Sequence, residues 1–279
     1  MVYAILAATL ALAPTQPEGT EQAREAATHT PQPPAEVIFN LFGVPVTNTI
    51  FTAWCVIAIL VLFAFFSTRN LRMAPSGLQN FWELVVELWI GVVEQSMGRR
   101  GRRFMPLIAT AFLFILFSNW IGILPVVGTV TVKDPHGHVV PLFRSANSDL
   151  NVTAAMAVLV IAIAEFFELR SLGPLGYLKG LLLPNPLRWL EIITRPLSLS
   201  FRLFGNIFAG EVLVATMIGI APFALFAFLG LELFVGLIQA LIFSMLTLVF
   251  LTIATAHEYA HHEETHPRTA AATAHGTGH

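Results

Sequence analysis

The sequence predicts an all-α membrane protein with about five transmembrane helices. The last two form a long, strongly tilted hairpin, and a further amphipathic helix lies at the membrane interface. Composition is the first reason, because 56% of the 279 residues are hydrophobic and only 11% are charged, whereas soluble domains carry about 25% charged residues. The mean hydropathy of +0.73 agrees with this. The second reason is a series of separate apolar stretches of the length that a bilayer requires, about 20 residues.

Five stretches are long and apolar enough to cross a bilayer. They run over Asn48–Thr68, Phe104–Val126, Asp149–Leu169, Leu187–Gly219 and Pro222–Ala256. The last two exceed the length of a perpendicular crossing, so we expect strong tilt. The turn between them is too short for anything but a tight hairpin. Residues 48–256 therefore form the predicted transmembrane domain.

Basic residues predict the orientation. The loops after the first and third spans hold most of them, namely Arg69, Arg72, Arg99, Arg100, Arg102, Arg103, Arg170, Lys179 and Arg188. The loop after the second span holds only Lys133 and Arg144. By the positive-inside rule the N-terminus lies outside and the C-terminus lies in the cytoplasm. The net charge of −2 is too small to indicate nucleic acid binding.

Three segments flank or interrupt the spans. Residues 1–47 form an N-terminal outside segment, in which 1–13 resembles the apolar core of a signal peptide. Pro75–Met97 places glutamates among Trp, Leu and Val at helical spacing, which is typical of an amphipathic interfacial helix. Residues 257–279 are rich in His, Thr and Ala and are expected to form a disordered cytoplasmic tail.

One charge is out of place in this pattern. Arg202 lies inside the fourth apolar stretch, where a central Arg costs roughly 2.5–3.5 kcal/mol on insertion scales. An intramembrane Arg is therefore a functional-site candidate by default. Since Arg keeps its proton at physiological pH, it can act on mobile protons without carrying one.

The hairpin places other polar residues at defined depths. In an antiparallel pair centred on the turn at 219–222, Arg202 lies level with Gln239, and Glu211 lies level with Glu232. Nine residues separate Arg202 from Glu211, which puts them about 13 Å apart along the helix and on opposite faces. We therefore expect no direct ion pair between them, and a hydrogen bond from Arg202 to the Gln239 carbonyl. Small residues beside Arg202 let another helix approach it closely, so the Arg faces a partner outside this chain.

The same residues carry a family resemblance. Residues 195–211 read RPLSLSFRLFGNIFAGE, which resembles the signature of subunit a of rotary F-type ATP synthases. Residues 238–247, IQALIFSMLT, resemble the last transmembrane helix of that subunit. Less specific likenesses occur at 118–120, SNW, and at 149–153, DLNVT. The resemblance covers roughly residues 75–256.

The resemblance implies a function and a set of site residues. It implies a proton-translocating stator subunit with two aqueous half-channels, in which Arg202 faces the carboxylates of a ring of c subunits. It implies a proton path that includes Asn206, Glu211, Glu232 and Gln239, while Asn119 and Asn151 are candidates for either the outer half-channel or plain packing. Further implied partners are the peripheral stalk b subunits, in a complex of the bacterial inner membrane. No cofactor or metal is expected, and nucleotide catalysis belongs to other subunits.

Two other classes of function stay open at this point. His257–His261 matches H-E-x-x-H, the zinc-binding helix motif of metalloproteases, although it lies in a His-rich stretch and no third ligand is evident. A stand-alone cation transporter would need a substrate site enclosed by this chain. The sequence leaves unspecified whether H⁺ or Na⁺ is transported, the number of c subunits and the physiological direction.

Overall fold

The computed structural model of the chain describes residues 35–41, 43–69, 77–124, 130–133, 138–182 and 187–265. The expectations for the signal-like segment 1–13, and for the tail from residue 266 onward, fall outside the described residues.

The structure confirms the predicted all-α membrane fold. Five helices are long and apolar enough to cross a bilayer, and one further long helix is the predicted amphipathic one. In chain order they are α1 (Asn48–Thr68), α2 (Leu78–Met97), α3 (Met105–Ile123), α4 (Leu150–Leu182), α5 (Leu187–Ile220) and α6 (Leu225–Thr265). Short 3₁₀ turns at Arg99–Phe104, Ala146–Ser148 and Pro222–Ala224 connect them.

Two helices extend further than the apolar stretches predict. Helix α6 continues from Ala256 to Thr265, because Ala and Glu are good helix formers and the next proline in the sequence is Pro267. Helix α4 continues to Leu182 but is interrupted at Gly173, whose φ of 71° is a backbone conformation that glycine tolerates. A hydropathy count detects neither extension, because the added residues are polar or follow a break.

Two small β-hairpins lie in segments that carried no strand prediction. Strands β1 (Val37–Leu41) and β2 (Val44–Thr47) pair antiparallel, and so do β3 (Thr131–Lys133) and β4 (Val139–Pro141). A bulge between Val37 and Phe39 shifts the register of the first pair. Strands of three to five residues give too short an alternation of apolar and polar residues to be recognised in the sequence.

The chain divides into two compact units. The first combines the described residues of 1–58 with Phe117–Asp149 and Phe204–Gly236. Its interior is notably polar, with fully buried side chains at Asn48, Thr49, Thr52, Ser118, Asn147 and Ser148. The second combines Ile59–Leu116, Leu150–Leu203 and the described residues from Leu237 onward, and its interior is mainly apolar around Trp89, Ile108 and Leu251.

Helix α2 has the two faces expected of an interfacial helix. Trp89 and Val93 are fully buried, and the Trp89 ring packs 5.4 Å from that of Phe112. Leu84 and Leu88 are exposed. Exposed leucines on a helix of this kind are suited to contact with lipid.

Candidate functional site

The first unit contains a buried ion pair. Nε of Arg144 donates a hydrogen bond of 3.0 Å to Oε2 of Glu211, and Nη2 of Arg144 lies 3.0 Å from the same oxygen. The two side chains are only 9% and 16% exposed. The guanidinium also lies over the ring of Phe208, 6.0 Å from its centroid. A carboxylate within helix α5 therefore has its counter-charge in the loop that precedes helix α4.

Hydrogen bonds to helix α1 and helix α3 fix the loop that carries Arg144. The Arg144 backbone N–H donates to Oγ1 of Thr52 at 3.2 Å. Oγ of the next residue, Ser145, donates to the carbonyl of Ser118 at 3.2 Å. At the other end of the loop, Thr49 donates to the Asp149 carboxylate at 2.9 Å. Each of these side chains is buried, so the loop is an integral part of the unit and holds Arg144 in place.

A glycine makes the approach of loop and helix possible. A Cβ atom on Gly122 would lie 2.6 Å from Cβ of Ser145. This is closer than non-bonded carbon atoms approach, so only glycine fits against the loop at this position.

Glu232 lies on the facing helix α6, directly against the backbone of helix α5. A Cβ atom on Gly210 would lie 2.6 Å from Oε1 of Glu232. Glu232 is partly exposed, and its carboxylate makes no hydrogen bond or ion pair with any part of the chain that the structure describes. Of the two predicted carboxylates, then, Glu211 has a cation beside it, whereas the described residues place none beside Glu232.

Asn119 is a buried link between three segments. Its Nδ2 donates to the backbone carbonyl of Gly236 in helix α6 at 3.1 Å, and its Oδ1 accepts a 2.7 Å hydrogen bond from Asn147. The residue is only 2% exposed. These bonds engage both the nitrogen and the oxygen of its side-chain amide inside the unit. A Cβ atom on Gly236 would lie 3.1 Å from Cβ of Asn119, so the two segments are in close contact.

Arg202 belongs to the second unit. Its side chain is exposed, next to exposed Ser198 and Phe201, while Leu199 and Leu203 on the other side of the helix are buried. Within the described residues the Arg202 side chain makes no hydrogen bond or ion pair. The guanidinium is thus directed away from the packed interior of its unit.

The expected hydrogen bond between Arg202 and Gln239 is not made. Gln239 is 5% exposed, whereas the Arg202 side chain lies on the surface of the unit. Equal depth in a hairpin fixes the position of two residues along the helices, but it does not fix the direction in which each side chain points. The prediction of this bond was therefore wrong.

Two further predicted site residues, Asn206 and Asn151, take no part in the ion pair of Arg144 and Glu211. The Asn206 side chain is partly exposed and makes no hydrogen bond within the described residues. Asn151 is exposed in the first turn of helix α4.

A second polar cluster lies in the second unit, around the end of helix α4. The hydroxyl of Tyr177 donates to Glu165 at 2.8 Å, and Arg188 pairs with Glu168. Arg195 pairs with Glu191 at 2.7 Å, one turn apart on helix α5. The charged members of this cluster, Glu165, Glu168, Arg188, Glu191 and Arg195, line a cavity of about 260 Å³.

The residue that sequence reasoning missed is Arg144. An Arg in a polar loop does not stand out in a hydropathy profile, because placing its charge there costs no transfer free energy into the membrane. A usable signal was its position, since Arg144 and Lys133 are the only basic residues between the second and third spans. A basic residue on the side that the positive-inside rule leaves poor in them invites a search for an acidic partner within a span.

Comparisons with known proteins agree on one family. Residues 50–252 match the family model described as ATP synthase A chain. ATP synthase subunit a of Moorella thermoacetica is 34% identical over 219 residues, covering 77% of this chain and 93% of the relative. The subunit of Gloeobacter violaceus is 38% identical over 221 residues, covering 77% and 86%. That of Mycobacterium tuberculosis is 36% identical over 228 residues, covering 77% and 90%.

Proposed function

We propose that this chain, which belongs to the ATP synthase A chain family, couples proton flow to rotation through Arg202 and two separate access routes. The family is a non-catalytic component of the membrane sector, so nucleotide catalysis lies on other subunits. The chain is accordingly a multi-pass membrane protein and takes part in ion transport for ATP synthesis. The observation that carries the finer proposal concerns Arg202. Its side chain is exposed within a membrane span, and this side chain has no partner among the described residues.

Arg202 acts on a ring of c subunits in this proposal. A ring carboxyl must cross the lipid in its protonated form, because an ionised carboxylate in hydrocarbon is prohibitively costly. Beside a guanidinium the ionised form is stabilised, so the proton is released there. Since Arg202 cannot relay a proton itself, it separates the two access routes. Each elementary charge that crosses yields about 2.3 kcal/mol per 100 mV.

The outer access route runs through the polar interior of the first unit. Arg144 places a cation beside the Glu211 carboxylate. Glu232 has no cation beside it among the described residues. It is the carboxylate suited to take up and release the proton. Asn206 and Gln239 are further proposed members of the proton path, while Asn119 maintains the packing of the first unit.

The inner access route begins at the cavity of the second unit. Arg188, Arg195 and Arg202 follow one another at intervals of seven residues on helix α5, which places them on one face. Carboxylates and the Tyr177 hydroxyl line or adjoin the cavity at the start of that face. Ionisable groups in a water-accessible cavity provide a proton-exchange surface.

The proposed arrangement puts the N-terminus outside and the C-terminus in the cytoplasm of a bacterial inner membrane. The arginine-rich loops support this orientation. The exposed face beside Arg202 meets the c ring, and the peripheral stalk b subunits hold the chain against rotation.

The Arg202→Lys variant tests the proposal. Lys is a compact, strongly hydrated cation that lacks the planar donor array of Arg, so we expect membrane vesicles with this variant to show no ATP-driven acidification. Arg99→Lys is the matched control, since Arg99 is also exposed and unpaired among the described residues. Normal pumping by the Arg202→Lys complex would refute the role given to Arg202.

A further inference from the structure

We propose that the groove between the end of helix α1 and helix α2 binds an aminophospholipid, through the buried hydrogen-bond donors of Ser67 and Trp82 and the carboxylates of Glu83 and Glu87. Such a lipid is the membrane component that combines an acyl chain, ester and phosphate acceptors and a primary ammonium group.

The groove has the size and character of a lipid-chain site. Its volume is about 430 Å³, and its walls are largely apolar, with Trp82, Val86 and Ile90 on helix α2. The ring of Phe63 on helix α1 packs 5.7 Å from that of Trp82 and holds the two helices together. An apolar wall of this kind suits a hydrocarbon chain.

Two donors in the groove have no acceptor within the described residues. Oγ of Ser67 and Nε1 of Trp82 are both buried and make no hydrogen bond there. Ser67 as a whole is only 5% exposed. A buried donor without a partner is costly. Two such donors in one groove indicate an occupant that brings acceptors.

The position of the groove favours a lipid over a helix of another protein. Ser67 lies one residue before the last residue of the span α1, next to the interfacial helix α2. Lipid ester and phosphate groups occupy this depth. The backbone carbonyls of a transmembrane helix already accept hydrogen bonds within the helix, whereas ester and phosphate oxygens are available acceptors.

Two carboxylates select the headgroup. Glu83 and Glu87 line the groove and are exposed, and Glu83 accepts a 2.8 Å hydrogen bond from Gln79 through Oε1. Carboxylates repel an anionic headgroup and attract an ammonium group. A primary ammonium can donate hydrogen bonds to them, as a Lys side chain does, whereas a trimethylated ammonium has no N–H to donate.

Native mass spectrometry of the intact complex tests the proposal. The probes are phosphatidylethanolamine, phosphatidylcholine and phosphatidylglycerol with identical acyl chains, and the readout is the amount of each lipid retained. We expect phosphatidylethanolamine to be retained preferentially. The Ser67→Ala, Trp82→Phe double variant removes both donors, keeps an aromatic ring at position 82 and should reduce retention of phosphatidylethanolamine and phosphatidylcholine alike by about five- to tenfold.

A second variant separates the headgroup from the acceptor contacts. Glu83→Gln with Glu87→Gln should lower retention of phosphatidylethanolamine to near that of phosphatidylcholine. Retention of phosphatidylcholine should fall less, because its quaternary ammonium is attracted by the carboxylates but donates no hydrogen bond to them. The matched control is Ser96→Ala with Trp189→Phe, which makes the same chemical changes at exposed positions outside the groove.

Three results would overturn the proposal. One is equal retention of the three lipids by the unmodified complex. Another is a donor variant that behaves like the control. The third is a photo-cross-linker at position 86 that captures a protein segment in the groove and no lipid.

Discussion

Arg144 and Glu211 are 67 positions apart in the chain, yet their guanidinium and carboxylate meet at 3.0 Å in the buried interior of one unit. The Arg144 guanidinium supplies a counter-charge to the Glu211 carboxylate, which lies within a membrane helix. It also distinguishes Glu211 from Glu232, for which the described residues provide no cation. The two carboxylates therefore play different parts in the proposed proton route.

A comparison of two variants tests how this ion pair contributes to the stability of the complex. Arg144→Gln leaves Glu211 buried without its cation, and removing one partner of a buried pair costs about 3–5 kcal/mol. The Arg144→Gln, Glu211→Gln double variant removes both charges and should be clearly more stable than the Arg144→Gln single variant. Thermal unfolding of the purified complexes measures the difference, and equal stability of the two variants would contradict the pairing.

Gly210→Ala should impair coupled transport without removing any polar group. The new methyl group would overlap Oε1 of Glu232, from which it would be separated by 2.6 Å, so the carboxylate must move. ATP-driven proton pumping in vesicles is the measurement. Gly230→Ala is the matched control, since no described atom lies within 4 Å of a Cβ there. Partial recovery in the Gly210→Ala, Glu232→Asp variant, whose carboxylate is shorter, would support the steric explanation.

Asn119→Ala should reduce stability more than transport. The change removes the hydrogen bonds to the Gly236 carbonyl and from Asn147, and an unmade buried hydrogen bond costs about 1–3 kcal/mol. We expect a lower thermal unfolding temperature, with ATP synthesis reduced only in proportion to the amount of assembled complex. Loss of transport by a complex of unchanged stability and abundance would instead assign Asn119 to the proton route.

Removing both carboxylates tests the outer access route. Since Glu211→Gln also leaves Arg144 buried without its partner, ATP synthesis is normalised to the amount of assembled complex. In the assembled complex, with its c ring bound, we expect the Glu211→Gln, Glu232→Gln variant to synthesise ATP poorly, because neither side chain can exchange a proton. The dependence of ATP synthesis on the outside pH should change as well. ATP synthesis in vesicles at a series of outside pH values measures both effects, and an unaffected variant would place the route elsewhere.

The spans could be predicted because hydropathy reports the surroundings of a whole segment. Helix α1 has the predicted bounds, Asn48–Thr68, since polar residues flank its apolar run. The extension of helix α6 to Thr265 was missed because helix propensity, and not hydropathy, governs it there. The hydropathy pattern likewise singles out Arg202, the one guanidinium placed deep within the fourth apolar stretch.

The contacts of the site could not be predicted in the same way. The Arg144–Glu211 pair joins a loop to a helix across 67 positions, and no periodicity connects such residues. The sequence leaves two interpretations of Asn119 open, and it gives no sign of the hydrogen bonds that this residue makes with Gly236 and Asn147. Side-chain direction also decided the failure of the Arg202–Gln239 bond, since helix register alone leaves direction undetermined.

The order of Arg144 and Glu211 in the chain has a consequence for biogenesis. The ribosome completes the loop that carries the cation before it begins the helix that carries the anion. In the proposed orientation, helix α5 would enter the bilayer after its counter-charge has been translocated, which would lower the cost of inserting a carboxylate. We expect Arg144→Gln to slow insertion of helix α5 during synthesis, as glycosylation or protease-protection mapping of truncated nascent chains would reveal.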